Sequence, residues 1–454
     1  MNEKKQAIFE SLPVKKAVLL QAMPAVASQM VTLIYNLADT YFVGLLNDPN
    51  QTAAITVAFP SFLMLTAISN LFGIGGASAI ARALGKKDEQ GARRISTISM
   101  WFGLLAACSF SLTFTLLMDP ILHLCGATQD TYALASGYAR WVVALGGPFT
   151  VMNTLFANLV RSEGGANHAS IGVSLGGVMN IFLDPLFILP QFLGLGAVGA
   201  GIATALSNVA ATVYFVGYLA VKRSTTILSP SPANLRYTHL YLKTILSIGL
   251  PSALQYALTA VAVSAQSKFV SKYPTEAVAA LGIIKKIDML PLYFSTGVSN
   301  GLLPLLAYNH SSGNRERRKA VFRFGCTLTV GFSLTCVVVY EIFAVQLASL
   351  LIKDPVTITY SAAFLRRMVT CMPLMSMCYP MLIQFQAMGQ VKASLVCSIL
   401  RKGILDIPLL FLMDALIPLY GCMWVQPIVD AISLVVAAAF YRSIMRKEEQ
   451  ASPA

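Results

Sequence analysis

The chain has 454 residues, 56% of them hydrophobic and only 12% charged, about half the charged share of an ordinary soluble domain, so a water-soluble core is excluded. Its net charge of +13 would point to nucleic acid in a soluble protein, but the charge is segregated by loop and reads as membrane topology. Twelve apolar stretches of about 20 residues or more can each cross a ~30 Å hydrocarbon layer as a helix. They lie at 17–45, 52–81, 95–118, 132–158, 169–189, 195–221, 242–271, 276–308, 321–343, 357–385, 391–413 and 418–441.

The first dozen residues are polar, and the apolar run after them carries Pro24, Asn36 and Asp39, the pattern of a retained first span rather than a cleaved leader. The second stretch contains Gly73, Gly75, Gly76, Ala77 and Ala79, a small-residue surface on which helix backbones can approach. In the fifth stretch Asn180 and Asp184 stand one turn apart and face the same way. A carboxylate at bilayer depth costs about 2.5–3.5 kcal/mol on insertion scales, so Asp39 and Asp184 read as functional, with a solvated helix-end cap as the alternative for Asp39, since Asn47, Asp48 and Pro49 lie about two turns on. Two acids at similar height, with amides and hydroxyls nearby, can share a proton or hold a small cation. Residues 194–199 satisfy G-x-G-x-x-G, but no βαβ unit surrounds them, and the small residues continue at Gly201, Ala203 and Ala205; close helix packing is expected. The composition then changes abruptly at residues 222–241 to Ser, Pro and basic residues, marking a linker between an N-terminal part, 1–221, and a C-terminal part, 242–454.

The second part repeats the first at an offset of about 227: Pro24 falls on Pro251, Phe42 on Phe269, Gly85 on Gly313 and Arg140 on Arg367, with the offset drifting to 224 by Phe187 on Phe411. Duplicated bundles of apolar helices mark secondary transporters, because two similar halves can rock about a shared site. Six spans per repeat give both halves the same orientation, related by an axis along the membrane normal. The second half carries its own intramembrane charges: Lys285, Lys286 and Asp288, then Arg366 and Arg367, then Arg401, Lys402 and Asp406, and Asp430. Asp288 can pair with Lys285 and Asp406 with Lys402 along their helices, and neither pair is assigned to coupling.

With both termini placed in the cytoplasm, 23 of the 33 Lys and Arg lie on that side and only Lys268, Lys272 and Lys353 on the other. The eight cysteines form no C-x-x-C pair and read as small hydrophobes, while the four histidines fall in or beside loops and read as solvated. No Ser/His/Asp or Cys/His set points to hydrolysis, so no enzymatic activity and no cofactor is expected.

The segments "SQMVTLIYNLADTYFVG", "NLFGIGGASAIARALG", "MNIFLDPLFI" with "GAVGAGIATALSN", "ALGIIKKID" and "QAMGQVKASLVCSILRKGILDIPLLF" resemble the multidrug and toxic compound extrusion (MATE) family, its bacterial small multidrug pump branch, over essentially all twelve stretches. The resemblance implies an all-α polytopic membrane protein of twelve helices in two six-helix lobes that form a V, in a bacterial cell membrane. It implies alternating access and efflux of bulky, often cationic or amphipathic drugs in exchange for protons or sodium. The family's first-lobe coupling site falls on Asp39, on Tyr138 and Asn158 with Asn153 as the rival amide, on Asn180 and Asp184, and on Thr204 with Asn208 as a neighbour; a sodium site would use Asp39, Asn180 and Asp184. One branch of the family has a glutamate on helix 7 where this chain has Thr259, with only Gln255 and Gln266 as large polar groups there, so coupling is expected in the first lobe.

Met, Phe and Tyr are abundant at 18, 24 and 17, and such surfaces suit varied apolar cations. The expected partners are small-molecule drugs and the lipid bilayer, with no nucleic acid and a monomeric state. The alternative is a lipid-linked oligosaccharide flippase, which would carry a more cationic cavity and two further spans. A receptor or channel fits the six-plus-six duplication poorly.

Overall fold

The computed structural model describes residues 3–46, 48–270, 272–352 and 354–450. Lys353 falls outside these, as do the side chains of Lys4, Lys268 and Phe269. All seventeen α-helices lie among them and no strand does. A short α1 (Glu3–Glu10) precedes the long α2 (Val14–Gly44), α3 (Pro49–Gly85) and α4 (Glu89–Leu116). Next come α5 (Met118–Leu124), α6 (Gln129–Ala139), α7 (Gly147–Ser162), α8 (Ala166–Ile188) and α9 (Gly196–Val221). The second half holds α10 (Thr238–Val270), α11 (Thr275–Ser311), α12 (Arg315–Ser349), α13 (Pro355–Met368) and α14 (Met372–Ala387), then α15 (Val391–Ile399), α16 (Asp406–Leu416) and α17 (Gly421–Gln450).

Helical structure covers all twelve apolar stretches, yet nine helices among the described residues are long and apolar enough to span, or ten when the bent pair α6–α7 is taken as one. Two expected spans fall short for physical reasons. Helix α11 runs unbroken past Pro291 and Pro304 but carries Lys285, Lys286 and Asp288, which lower its apolar character. The stretch 391–416 is split by a wide π turn, Leu400–Ile404, into two helices of 9 and 11 residues. A second π turn, Arg140–Leu145, leads into Gly146 and Pro148, and α6 and α7 meet there at 49°.

The repeat is visible in the caps. Asp88 accepts from the Gly91 amide at the start of α4, and Asn314 accepts from the Arg317 amide at the start of α12. Between the two halves, α2 packs on α11 and α3 on α10, and the closest approaches are made by glycines. A Cβ at Gly249 would lie 1.8 Å from the Leu71 carbonyl oxygen, one at Gly75 2.2 Å from that of Ile245, and one at Gly301 2.5 Å from Ala22 Cα. All these contacts sit towards the ends of the helices that carry the N-terminus, the 86–88 turn and the 222–241 segment. A Cβ at Gly199 would lie 2.4 Å from the Phe187 carbonyl oxygen and one at Gly201 2.9 Å from that of Tyr138, so the end of the G-x-G-x-x-G run and the small residues after it are a packing surface.

Four cysteines (336, 378, 397 and 422) are buried, and Cys108 is exposed. The solvated reading holds for the exposed His123 and His239 but not for the other two histidines. His168 is half-buried against the Tyr214 hydroxyl at 3.1 Å, and His310 lies 2.8 Å from the Arg318 guanidinium, because both sit within the terminal turns of helices, α8 and α11, that pack on α9 and α12.

Candidate functional site

Helices α2, α6, α7, α8 and α9 bring most of the expected coupling residues together. Asp184 is fully buried on α8, and the Asn180 amide, itself 2% exposed, donates to its Oδ1 at 3.1 Å. This follows from their one-turn spacing, with Pro185 next in line. Asp39 on α2 and Asp184 are electrostatic neighbours, and both act on Tyr138 and Tyr35. Tyr138 is buried at the end of α6, immediately before the π turn that redirects its helix. Asp39 is no solvated cap: its Oδ1 is buried and the helix continues to Gly44.

A second set of amides, on α7 and α9, is linked in series. Asn153 on α7 donates to Asn208 Oδ1 at 3.0 Å, and Asn208 donates to the Thr204 carbonyl at 3.0 Å, both on α9. Asn158 stands apart, its Oδ1 accepting from the buried Arg161 guanidinium at 3.1 Å and its side chain against Gly73. Of the two rival amides on α7, Asn153 is therefore the one in line with α9.

Four oxygens of this group are buried with no hydrogen-bond donor among the described residues: Asp39 Oδ1, Asn153 Oδ1, Asn180 Oδ1 and Asp184 Oδ2. Buried acceptors are nearly always satisfied; the Asp39 and Asp184 carboxylates, with the Asn180 amide bonded to Asp184, supply oxygen donors of the kind a hard cation takes. Two carboxylates with amide oxygens suit sodium, and the same carboxylates can each take a proton. No group of three His, Cys, Asp or Glu side chains arranged for a metal occurs among the described residues, so the donor set is one of carboxylate and amide oxygen rather than of soft ligands.

The second half behaves differently. The Arg401 guanidinium donates to Asp430 Oδ1 at 2.9 Å with both side chains buried, and its carbon lies 4.6 Å from the centre of the Tyr379 ring. Lys402 donates to Gln426 Oε1 at 2.9 Å and stands 3.8 Å from Asp406, the expected one-turn pair. The expected Lys285–Asp288 pair is not closed. Where the first half gathers Asp39 and Asp184 with no ion pair among the described residues, the second pairs Asp430 with Arg401 and Asp406 with Lys402. Thr259 only returns a bond to the Gln255 carbonyl of its own helix.

Sequence reasoning missed Glu163. It is fully buried in the turn between α7 and α8, where Oε1 accepts from Lys5 and from the Tyr218 hydroxyl, each at 2.7 Å, and Oε2 accepts from Thr226 Oγ1 at 2.9 Å and the Ile227 amide at 2.8 Å. Its signal was an acid in the short turn after α7, two positions on from Arg161.

Comparison with known proteins agrees with this architecture. The multidrug export protein MepA of Staphylococcus saprophyticus is 29% identical over 437 residues, covering 96% of this chain and 95% of that protein. A MATE crystal structure in complex with MaL6 superposes with a TM-score of 0.92 at 26% identity, over 99% of this chain and 100% of that one. The outward-facing conformation of a multidrug resistance MATE family transporter of the MOP superfamily gives 0.89 at 26% identity, over 99% of both chains. The MatE family model matches twice, over residues 24–186 and again over 251–412. With each half matched separately and most of the length accounted for, this polytopic membrane protein belongs to the MatE family of multidrug efflux transporters.

Proposed function

We propose that the protein is a cation-coupled multidrug antiporter, which exports bulky cationic or amphipathic compounds by alternating access of two six-helix lobes, 1–221 and 242–454, joined by the linker 222–241. Twelve spans, with both termini and the linker in the bacterial cytoplasm, agree with the helical cover of all twelve stretches and with the loop charge bias. The observation that carries the coupling assignment is the set of donor-less buried oxygens on Asp39, Asn153, Asn180 and Asp184. An ion at this site and a drug in the same lobe would compete, because both draw on the same negative charge. Inward ion flow would then expel drug outward. Asp39 and Asp184 hold the ion or proton, Asn180 fixes the Asp184 carboxylate, and the Asn153–Asn208–Thr204 series orients α7 against α9.

The test is drug-driven ion flux in proteoliposomes with sodium and pH gradients imposed separately. Asp184→Asn is nearly isosteric but cannot cycle its charge, so gradient-driven efflux should vanish while drug still binds. Wild-type efflux from that variant would remove Asp184 from the coupling site.

A further inference from the structure

The repeat shows itself once more on the outer surface, along the first long helix of each half. A groove of about 530 Å³ runs along the start of α2 past Lys16, Leu19 and Met23, and one of about 550 Å³ runs along the start of α10 past Lys243, Leu246 and Leu250. These are the same three positions twice, because the offset that carries Pro24 onto Pro251 carries 16, 19 and 23 onto 243, 246 and 250. Spacings of three and four put each trio on one helix face, with the lysine towards the helix start and the apolar side chains further in.

Leu19, Met23 and Leu250 are exposed, as are Lys16 and Lys243. Neither lysine, nor the exposed Lys15 that also lines the first groove, has a hydrogen bond or ion pair among the described residues. Acids at this end of the bundle are already taken, Glu163 by Lys5 and Glu448 by Arg318. Just before α10, the guanidinium carbons of Arg94 and Arg236 lie 3.7 and 4.7 Å from the centre of the Tyr237 ring, again without an ion pair among the described residues. The second groove also takes in Leu71 of α3, whose carbonyl Gly249 packs against, so it lies on the seam between the halves. A row of apolar side chains that ends in an unpaired cation is complementary to an acyl chain that ends in a phosphate.

We propose that the two grooves are a repeat-related pair of binding sites for an anionic phospholipid, phosphatidylglycerol, each laying an acyl chain along its apolar row and the headgroup phosphodiester at its lysine. That phosphodiester is negative at neutral pH, and a lysine ammonium offers it up to three donors. In phosphatidylcholine the same group is already balanced by its own choline. The first site has Lys15 beside Lys16, whereas the second has Leu242 at the position equivalent to Lys15 and holds its phosphate with Lys243. The second is therefore the site that one substitution empties. A chain lying over Leu71 and Leu246 touches both halves at once, which ties occupancy of that site to the closed seam.

Native mass spectrometry of the purified full-length protein, delipidated in detergent and then given phosphatidylglycerol or phosphatidylcholine with the same acyl chains, counts the lipids bound. Wild type should keep two phosphatidylglycerols and no phosphatidylcholine. At the same lipid concentration Lys243→Gln should keep one, Lys15→Gln with Lys16→Gln should keep one, and the triple variant none. Each lysine removed should weaken its own site by about fivefold. Lys392→Gln, at an exposed lysine outside both grooves, should match wild type. Two phosphatidylglycerols on the triple variant, none on wild type, equal retention of phosphatidylcholine, or an equal loss in Lys392→Gln would each overturn the assignment.

Discussion

The Lys5 ammonium stands 2.7 Å from Glu163 Oε1, joining the first helix of the chain to the turn before α8. The same short α1 reaches the other half: the Phe9 ring stacks on Tyr308 at 4.8 Å, Glu10 accepts from the Tyr308 hydroxyl at 2.5 Å, and Arg317 Nε donates to the Phe9 carbonyl at 2.7 Å. One helix of eight residues therefore straps both halves at the same end of the bundle.

Glu163→Ala should be far more damaging than Lys5→Ala. The first removes an acceptor that satisfies four donors, one of them a backbone amide, at a cost of about 3 kcal/mol or more. The second removes one partly exposed cation, at about 1 kcal/mol or less. Thermal unfolding in detergent orders the two, and equal losses would refute the hub role of Glu163.

The Arg401–Asp430 pair should show the asymmetry of buried ion pairs. Arg401→Met or Asp430→Asn alone leaves an unpaired buried charge and should cost about 3–5 kcal/mol, while Arg401→Met with Asp430→Leu should recover much of that loss. Folded yield and unfolding midpoint of the three variants measure it. A double variant as poor as the sum of the singles would show that the pair is not self-contained.

Acidification should loosen the contact of the C-terminal helix with α12. Burial, then the Arg318 guanidinium, pushes His310 down from 6.5 to about 4. Between those values the unfolded chain takes a proton that the folded one refuses, so stability is lost as pH falls from about 6.5 towards 4. Burial works to raise the Glu448 carboxyl, but its hydrogen bonds and charge attraction to Arg318 hold it below its usual 4.5, which adds a loss in the same direction at lower pH. His310→Gln should remove about 1–2 kcal/mol of the loss between pH 6.5 and 5, allowing for partial solvent screening. Unfolding midpoints at the two pH values, wild type against variant, give the answer.

Gly249→Ala should abolish export, since its new methyl has only the Leu71 carbonyl to enter, and Gly301→Ala should weaken it by prising α11 from α2. Gly217→Ala, with open space around it, should be silent or stabilise α9 by about 0.5–1 kcal/mol. Dye accumulation in cells, at matched expression, separates the three.

Single cysteines at Ser231 and Asn50, both exposed, should label from opposite sides of the membrane in a background without other cysteines. Labelling of both from outside would reverse the proposed topology.

The spans and the acidic group were legible because their signals are local. A carboxylate inside an apolar run is conspicuous, and the Asn180–Asp184 spacing fixes a shared face without any knowledge of tertiary structure. What stayed hidden depends on residues far apart in the chain. Arg401 meets Asp430 across 29 positions and two helices, whereas the expected i, i+3 partner of Lys285 turned out to be shared with others. The choice between Asn153 and Asn158 needed the bend at 140–146, a π turn that no periodicity announces. Glu163 was overlooked because its donors come from α1, α9 and the linker at once.

The glycine contacts at Gly75, Gly249 and Gly301 bear on how cheaply the halves can part. They hold backbone to backbone with no hydrogen bond or ion pair of their own, so separating them leaves behind no stranded charge and no unsatisfied donor. In a bilayer, moreover, lipid tails can cover the exposed small residues about as well as the opposite helix does. Such a seam resembles a zip fastener more than a lock: close fit gives it a preferred register, and a modest bias elsewhere, from an ion, a drug or the α1 strap, is enough to decide whether it is shut.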